Sequence, residues 1–385
     1  MSITGPLSGI TVLDLSRILA GPYCTLMLAE LGAHVIKVEP PGSGDDARQY
    51  GPFINGKSAY FTSINRGKQS IALDLKSPSD LAIMRDLVKR ADVLVENFRP
   101  GVMARFGLSW DDLRRVNPRL VYASVSGFGQ TGPWATKPAY DMVVQGMGGI
   151  MSITGHLGGP PARTGISIGD IGAGLYATIA INAALYQRER TGQGTQIDIS
   201  MLDCQAALLE APYTRYFATG ENPGPLGARH PTITPFQVFE ASDGYLTLAA
   251  GNDGLFRRLC SALRRPELSE DLRYRTNPLR CAHVNELTEA LEETTRTRGV
   301  KEWVHILELA GIPCGPVNSV SDAVKHEQIL ARDMIVQVQD PTMGSVSVIG
   351  NPMKMGDAID DGVREPAPEL DGSRRDILDW LAAAS

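Results

Sequence analysis

At 385 residues the chain is long for one hydrophobic core, which predicts two or more lobes. Its 43% apolar and 21% charged residues are those of an ordinary globular protein. A net charge of −6, with no basic stripe interleaved with aromatics, argues against a dedicated nucleic-acid binder, although a few Lys and Arg can still build a local phosphate site.

The first half alternates strand and helix signals. The pattern predicts a strand over 10–15, a helix from Gly21-Pro22 to Leu31 closed by Gly32, and a strand over 35–38 ending at Glu39. A strand, a helix and a strand in about thirty residues make a βαβ unit, whose handedness makes the sheet parallel. The alternation continues with a strand over 70–75, a helix over 78–90, a strand over 92–96, a helix over 109–116 and a strand over 120–126. The expected fold class is therefore α/β, a Rossmann-like doubly wound parallel sheet. The first βα turn, Asp14-Leu-Ser-Arg-Ile-Leu-Ala-Gly-Pro22, lacks the GxGxxG of dinucleotide binders, and Glu39 alone is a weak ribose signal. In such sheets ligands gather at the strand carboxyl ends, which here carry Ser16-Arg17-Ile18, Lys76, Asn97-Phe98-Arg99 and Ser126-Gly127-Phe128-Gly129.

A helix is expected over 171–189, a strand over 195–200 and helical structure over 201–219. The Gly/Pro-rich stretch 220–235 reads as a boundary. Beyond it, two strands over 237–240 and 245–249 and helices over 254–263, 284–295 and 300–310 suggest a smaller α+β lobe, whose helical run ends at Pro313-Cys-Gly-Pro316. A short helix over 377–384 closes the chain. The expected organisation is a large domain over 1–205 completed by 330–385, a linker over 206–224, a small domain over 225–320 and a return linker over 321–329.

The five cysteines are scattered, with no CxxC pair or His/Cys cluster, so neither a zinc site nor a disulfide framework is expected and no metal ligand is assigned. The first residues lack the order of a signal or transit peptide, and no apolar run looks long enough to span a bilayer. The expected compartment is the cytoplasm.

The decapeptide Gly165-Ile-Ser-Ile-Gly-Asp-Ile-Gly-Ala-Gly174 sets one carboxylate, Asp170, among residues of almost no bulk. Two readings are open. Asp is a favoured N-cap, and a helix follows. Alternatively, the glycines admit a bulky ligand to a nucleophilic carboxylate, with backbone N–H groups for the oxyanion.

Several segments together resemble the class III CoA-transferases, the CaiB/BaiF or formyl-CoA-transferase-like family. They are Leu13-Asp-Leu-Ser-Arg-Ile-Leu-Ala-Gly-Pro22, Leu31-Gly-Ala-His-Val-Ile-Lys-Val-Glu-Pro-Pro-Gly42 and Asn65-Arg-Gly-Lys-Gln-Ser-Ile-Ala-Leu-Asp-Leu-Lys76. Val95-Glu-Asn-Phe-Arg-Pro-Gly101, Ser126-Gly-Phe-Gly-Gln-Thr-Gly-Pro133, the decapeptide, Gly192-Gln-Gly-Thr-Gln-Ile-Asp-Ile-Ser-Met-Leu-Asp203 and Ile312-Pro-Cys-Gly-Pro-Val317 follow in the family's order.

The resemblance implies that Asp170 attacks a donor acyl-CoA thioester, giving an acyl-aspartyl anhydride and CoA thiolate. Exchange through an enzyme thioester and a second anhydride then makes the new acyl-CoA. One thioester replaces another, so neither ATP nor a metal is required, and acyl-CoA is a substrate with no cofactor tightly bound. With an ordinary pKa near 3.9, Asp170 is expected to be ionised at neutral pH. Water must be excluded or the anhydride is lost.

By the same resemblance, Ile18 makes a backbone contact to CoA, while Lys76, Asn97, Phe98 and Arg105 surround the adenine and phosphates. Tyr140 is an active-site tyrosine. Arg163 could pair an acceptor carboxylate, and Arg229 and His230 could line the site, although solvated charge or a polar linker explains them as well. The small-lobe glycine run that some members of the family carry has no counterpart in Gly227-Ala-Arg-His-Pro-Thr-Ile-Thr-Pro235. An interlocked homodimer is implied, with small carboxylates as further substrates and no nucleic acid or membrane as partner.

The nearest alternative is an α-methylacyl-CoA racemase, which needs a His base where this chain has Tyr140. A CoA ligase lacks its phosphate-cradling Gly-rich loop here. A non-catalytic CoA-binding subunit would have no use for Asp170. The preferred reaction moves CoA from a donor such as succinyl-CoA to a small dicarboxylate.

Overall fold

The structure is a computed structural model and describes residues 5–355 and 363–383. Six strands, β1 (Thr11–Asp14), β2 (His34–Glu39), β3 (Gln69–Ala72), β4 (Val93–Glu96), β5 (Val121–Ser126) and β6 (Thr195–Ser200), form one sheet in the order β3-β2-β1-β4-β5-β6. Every pairing is parallel; β1 sets Val12 opposite Val35 on one side and opposite Val93 on the other. This is the doubly wound order expected from the βαβ rhythm, with its switch point between β1 and β4.

Side chains alternate along each strand and load both faces of the sheet. Val12, Val35, Val93, Val95 and Val121 share one core with helices α1 (Ala20–Glu30) and α7 (Ile168–Thr191). Leu13, Ile36, Leu94 and Tyr122 share the other with α3 (Pro78–Arg90), α5 (Trp110–Val116) and the helix Arg374–Ala382. Near-continuous apolar strands covered on both sides are what a parallel sheet requires. Short helices α2 (Ala59–Asn65), α4 (Val102–Arg105) and α6 (Asp141–Met147) occupy the intervening segments.

Helix α7 corrects one expectation. Its 24 residues are long and apolar enough, by length and composition, to cross a membrane. Half of that stretch is buried inside the protein. Gly169, Ala173, Ala177, Ile181, Ala184 and Arg188 lie along one buried stripe at helical spacing, with Arg188 paired to Asp92 at 2.9 Å.

The chain divides into two compact units. The first holds the sheet, the segment Arg163–Asn222 and the chain from Glu327 onward. The second holds Pro223–His326 and also Ser152–Ala162, a segment expected in the large domain. Residues 206–224, expected as a linker, contain the end of α8 (Met201–Leu208) and all of α9 (Glu210–Thr219). Gly220, at φ +72°, ends α9 with a left-handed cap. The return segment likewise carries the short helices Val320–Ala323 and Glu327–Ala331.

In the second unit, β7 (Phe236–Ala241), β8 (Gly244–Ala249) and β9 (Cys314–Pro316) form an antiparallel sheet with β8 in the centre. Phe239, Leu246, Phe256, Leu259, Leu287, Trp303 and Leu307 make its core. The segment expected only to end a helical run is thus an edge strand, where Pro is tolerated. The hairpin of β10 (Ile335–Asp340) and β11 (Gly344–Ile349), absent from the predicted elements, belongs to the first unit. Lys57 ties it there, 2.6 Å from Asp340.

Candidate active site

The carboxyl ends of β1, β2, β4 and β5 open into a cavity of about 720 Å³. Its lining includes the Ser16–Ala20 turn, Lys76, Asn97, Phe98, Ser126, Tyr140 and Asp170, so six of the seven residues expected at the site come together. Arg105 does not line it. It sits exposed at the last position of α4, although its neighbours Val102 and Phe106 reach the cavity.

Asp170 occupies the third position of α7, and Ser167 is the N-cap residue, without a side-chain bond. The capping is done from outside. Asp141, first residue of α6, accepts the Gly169 N–H on Oδ1 at 2.9 Å and the Gln145 amide on Oδ2 at 2.7 Å. This excludes the N-cap reading of Asp170. Arg163 stands 3.9 Å from the same Asp141 oxygen.

Burial pushes the Asp170 carboxyl up to about 7, and the charge of Asp141 adds to the rise. The expectation of a carboxylate fully ionised at neutral pH is corrected accordingly: dehydration outweighs the favourable end of the helix dipole. Tyr60, from α2, also faces Asp170. Burial pushes its phenol up to about 12, the Asp170 charge contributing next. Nothing in the motif order singles out Tyr60, because its approach is made by a short helix far away in sequence.

Three of the four decapeptide glycines, Gly169, Gly172 and Gly174, serve packing, not ligand access. A Cβ on Gly174 would lie 2.8 Å from the Ala20 carbonyl oxygen of α1. A Cβ on Gly172 would lie 2.8 Å from Leu208 of α8, and one on Gly169 2.7 Å from Val144 of α6. None of the three has positive φ. They let three helices crowd around the first turn of α7, and that crowding dehydrates Asp170.

Ile18 adopts φ +69°, a left-handed conformation rare for a β-branched residue. Its N–H donates to Asp45 Oδ1 at 3.0 Å. Asn97 engages the preceding residue twice: Arg17 N–H donates to Oδ1, and Nδ2 donates to Arg17 O, each at 2.8 Å. The Asn97 amide therefore holds the turn. After the turn, α1 begins without a side-chain cap, its first residue Ala20 on the cavity wall, and such a helix start favours an anion.

Beneath this turn lies a buried charge cluster. Asp14 accepts Lys68 Nζ at 2.9 Å and Thr25 Oγ1 at 2.7 Å, and it also accepts from Ser16. Burial opposes its ionisation, but Lys37 and Lys68 outweigh it and hold the carboxyl well below the usual range. Glu39 is engaged by Arg48 at 2.7 and 2.8 Å, by Ser70 and by the Asp45 N–H, which leaves no role at a ribose.

Phe98 is half-buried against the second core and carries the Arg17 guanidinium 5.4 Å above its ring. Lys76 is exposed at the rim, and Tyr140 is 71% exposed, open to the cavity and not part of a core. Arg17, Arg99 and Lys137 add cations to the lining. The strand-end rule points to Arg17 and Arg99. Lys137, stacked 3.4 Å over Trp134, comes from an irregular loop that carries no such signal. Arg229 and His230 belong to the second unit, where Arg229 bonds Asn285 and His230 accepts the Thr232 N–H.

Known proteins resemble this chain along nearly its whole length. The model of CoA-transferase family III matches residues 7–374. The chain is 46% identical to acetyl-CoA:oxalate CoA-transferase of Acetobacter aceti, over 95% of this chain and 93% of that protein. It is 40% identical to succinyl-CoA:glutarate CoA-transferase of Mus musculus, over 97% and 86% respectively. The crystal structure of a CaiB/BaiF family protein from Brucella suis superimposes with a TM-score of 0.87 at 40% identity, covering 98% of this chain and 100% of that one. With a match over nearly its whole length, the chain belongs to CoA-transferase family III.

Proposed function

We propose that the protein moves CoA from an acyl-CoA donor to a small dicarboxylate through covalent intermediates on Asp170. The observation that carries this reading is the placement of Asp170. It lies on the cavity at the start of α7, with the capping role taken by Asp141 and its own carboxylate uncommitted to a cap.

In the first step an Asp170 oxygen attacks the thioester carbonyl carbon, the C–S bond breaks, and CoA leaves as thiolate. The thiolate then attacks the aspartyl carbonyl, releasing the donor acid and leaving an aspartyl thioester. The acceptor carboxylate displaces CoA from that thioester to form a second anhydride. Thiolate attack on the acceptor's acyl carbon gives the new acyl-CoA and frees Asp170. Each barrier is lower than that of a single direct exchange.

Lys76, Arg17, Arg99 and Lys137 supply positive charge for the phosphates of CoA, and the Phe98 ring supplies a stacking face. A dicarboxylate acceptor is supported by the names of the glutarate and oxalate enzymes above. We include a homodimer in this reading. Leu175, Ile179 and Tyr186 on α7 and Tyr216 and Phe217 on α9 are exposed apolar side chains suited to cover by a second copy.

The test is trapping. Succinyl-CoA and hydroxylamine added to the enzyme should leave a hydroxamate on Asp170, read by peptide mass spectrometry, and glutarate or oxalate should accept CoA. No adduct, together with α-proton exchange into deuterated water, would replace this reading with the racemase. Acceptance by monocarboxylates alone would remove the dicarboxylate.

A further inference from the structure

The turn Ser16–Leu19 separates β1 from α1 and forms one wall of the cavity. Its shape depends on Ile18, a β-branched residue at φ +69°. Such a residue pays conformational energy in this region, and only surrounding structure can hold it there. Glycine would adopt the same φ freely.

Beside the two Asn97 bonds to Arg17, what holds Ile18 itself is a pair of fully buried charges. Asp45 has no exposed surface. Its Oδ1 accepts the Ile18 N–H at 3.0 Å and the Ala47 N–H at 2.9 Å, and its Oδ2 lies 2.9 Å from Lys37 Nζ. Lys37, equally buried, donates from Nζ to the Ser16 carbonyl at 2.8 Å. The pair thus grips the turn from beneath at two points, the carbonyl of Ser16 and the N–H of Ile18. Neither grip is needed to close the sheet, whose strands are already paired through their own backbones. Asp45 also caps the turn Asp46–Gln49, but the Ala47 bond alone serves that purpose.

We propose that Asp45, seated on Lys37, is a positioning residue for the transfer reaction: it locks Ile18 in its left-handed conformation, so that the Ser16–Leu19 turn and the start of α1 meet the acyl-CoA in a fixed shape. The proposal rests on the reading of the cavity as the acyl-CoA site. Asp45 touches no reacting atom; it acts through Ile18. With the Ile18 N–H taken by Asp45, the Ile18 carbonyl and side chain are what the turn presents to the ligand.

The test is a double-mutant cycle on the full-length protein, using Asp45→Ala, Ile18→Gly and the pair, with steady-state kinetics for succinyl-CoA and equilibrium titration of CoA. Asp45→Ala should raise KM for succinyl-CoA about tenfold or more, with kcat changed less than about threefold. In the Ile18→Gly background the same substitution should raise KM at least threefold less, because glycine needs no lock. An equal KM penalty in both backgrounds, or a lower melting temperature with KM unchanged, would overturn the positioning role. Should Asp45→Ala not fold, Asp45→Asn in the same cycle decides by the same ratio. If the wild-type protein binds no CoA, the acyl-CoA reading falls and this proposal with it. If the wild type and Asp45→Ala bind CoA equally, the positioning role alone falls.

Discussion

Arg17 and Asn97 exchange two hydrogen bonds of 2.8 Å, which tie the end of β1 to the end of β4 across the switch point of the sheet. The bond from Asn97 Nδ2 to the Arg17 carbonyl is the one a carboxylate cannot make. Asn97→Asp keeps an acceptor for the Arg17 N–H but sets an oxygen against the Arg17 carbonyl. One lost hydrogen bond is worth about 0.5–1.5 kcal/mol. KM for the acyl-CoA donor should therefore rise roughly threefold to tenfold, with kcat less affected. Steady-state kinetics decide it, and an unchanged KM would mean the tie does not shape the cavity.

The glycines of α7 make a prediction about stability. At Gly174 an added methyl meets the Ala20 carbonyl, a backbone atom that cannot swing aside. Gly174→Ala should cost about 1–3 kcal/mol through overpacking, despite alanine's better helix propensity. Gly165 has open space around its missing Cβ. Gly165→Ala should stay within about 0.5 kcal/mol of the wild type. Urea unfolding of both variants checks the contrast, and equal losses would contradict it.

These two cases show what the sequence could and could not convey. The short apolar strands and the spacing of β1, α1 and β2 are local signals, and α3 and β6 fall where their patterns place them, at Pro78–Arg90 and Thr195–Ser200. Asp170 could be picked out because its neighbours are unusual. The purpose of those neighbours could not, since a glycine that admits a ligand and one that admits a helix look alike until α1, α6 and α8 are in place. Tyr60 and Asp45 come to the site from distant parts of the chain, and Asp45 is one of two adjacent acids in an unremarkable loop. The hairpin of β10 and β11 does carry a local signal, strict apolar–polar alternation in Val336-Gln-Val-Gln339 and Ser345-Val-Ser-Val348, although the expected elements omit it.

Glu30 lies buried between two guanidinium groups. Arg66 donates to it at 2.9 and 3.1 Å and Arg364 at 2.9 and 3.1 Å. Glu30→Gln removes the negative charge that both arginines face in a place where water cannot compensate. The expected loss is about 3–5 kcal/mol, the usual result of removing one member of a buried ion pair. A loss below about 1 kcal/mol in urea unfolding would show that these arginines find adequate partners elsewhere.

Lys76 lines the cavity and Arg105 does not, although family resemblance assigns both to the coenzyme. Lys76→Ala should raise KM for acyl-CoA several-fold, and the increase should shrink with added salt as screening weakens the wild-type contact. Arg105→Ala should change KM by less than half as much on a logarithmic scale. A larger effect at Arg105 would show that the coenzyme extends past α4, outside this cavity.

The last prediction concerns the pH at which Asp170 works. Its carboxyl is pushed to about 7 by burial first and by Asp141 second, against an ordinary value of 3.8. The groups that face it are Asp141 from α6 and Tyr60 from α2, with Arg163 beside Asp141. Since the nucleophile is the ionised form, kcat/KM should rise with pH along an acid limb centred near 7. Asp141→Asn removes the like charge and should move that limb to lower pH. Stability runs the other way. Between 3.8 and about 7 the unfolded chain releases this proton while the folded protein keeps it. The Asp170 contribution therefore becomes destabilising as pH rises through that window and stays constant above it. Asp170→Asn, neutral throughout, should match the wild type in stability near the acid end and exceed it by on the order of 1–3 kcal/mol at pH about 8. Thermal unfolding of the two proteins across that range measures the difference, and a gap that does not widen with pH would show that Asp170 is ionised in the folded protein throughout.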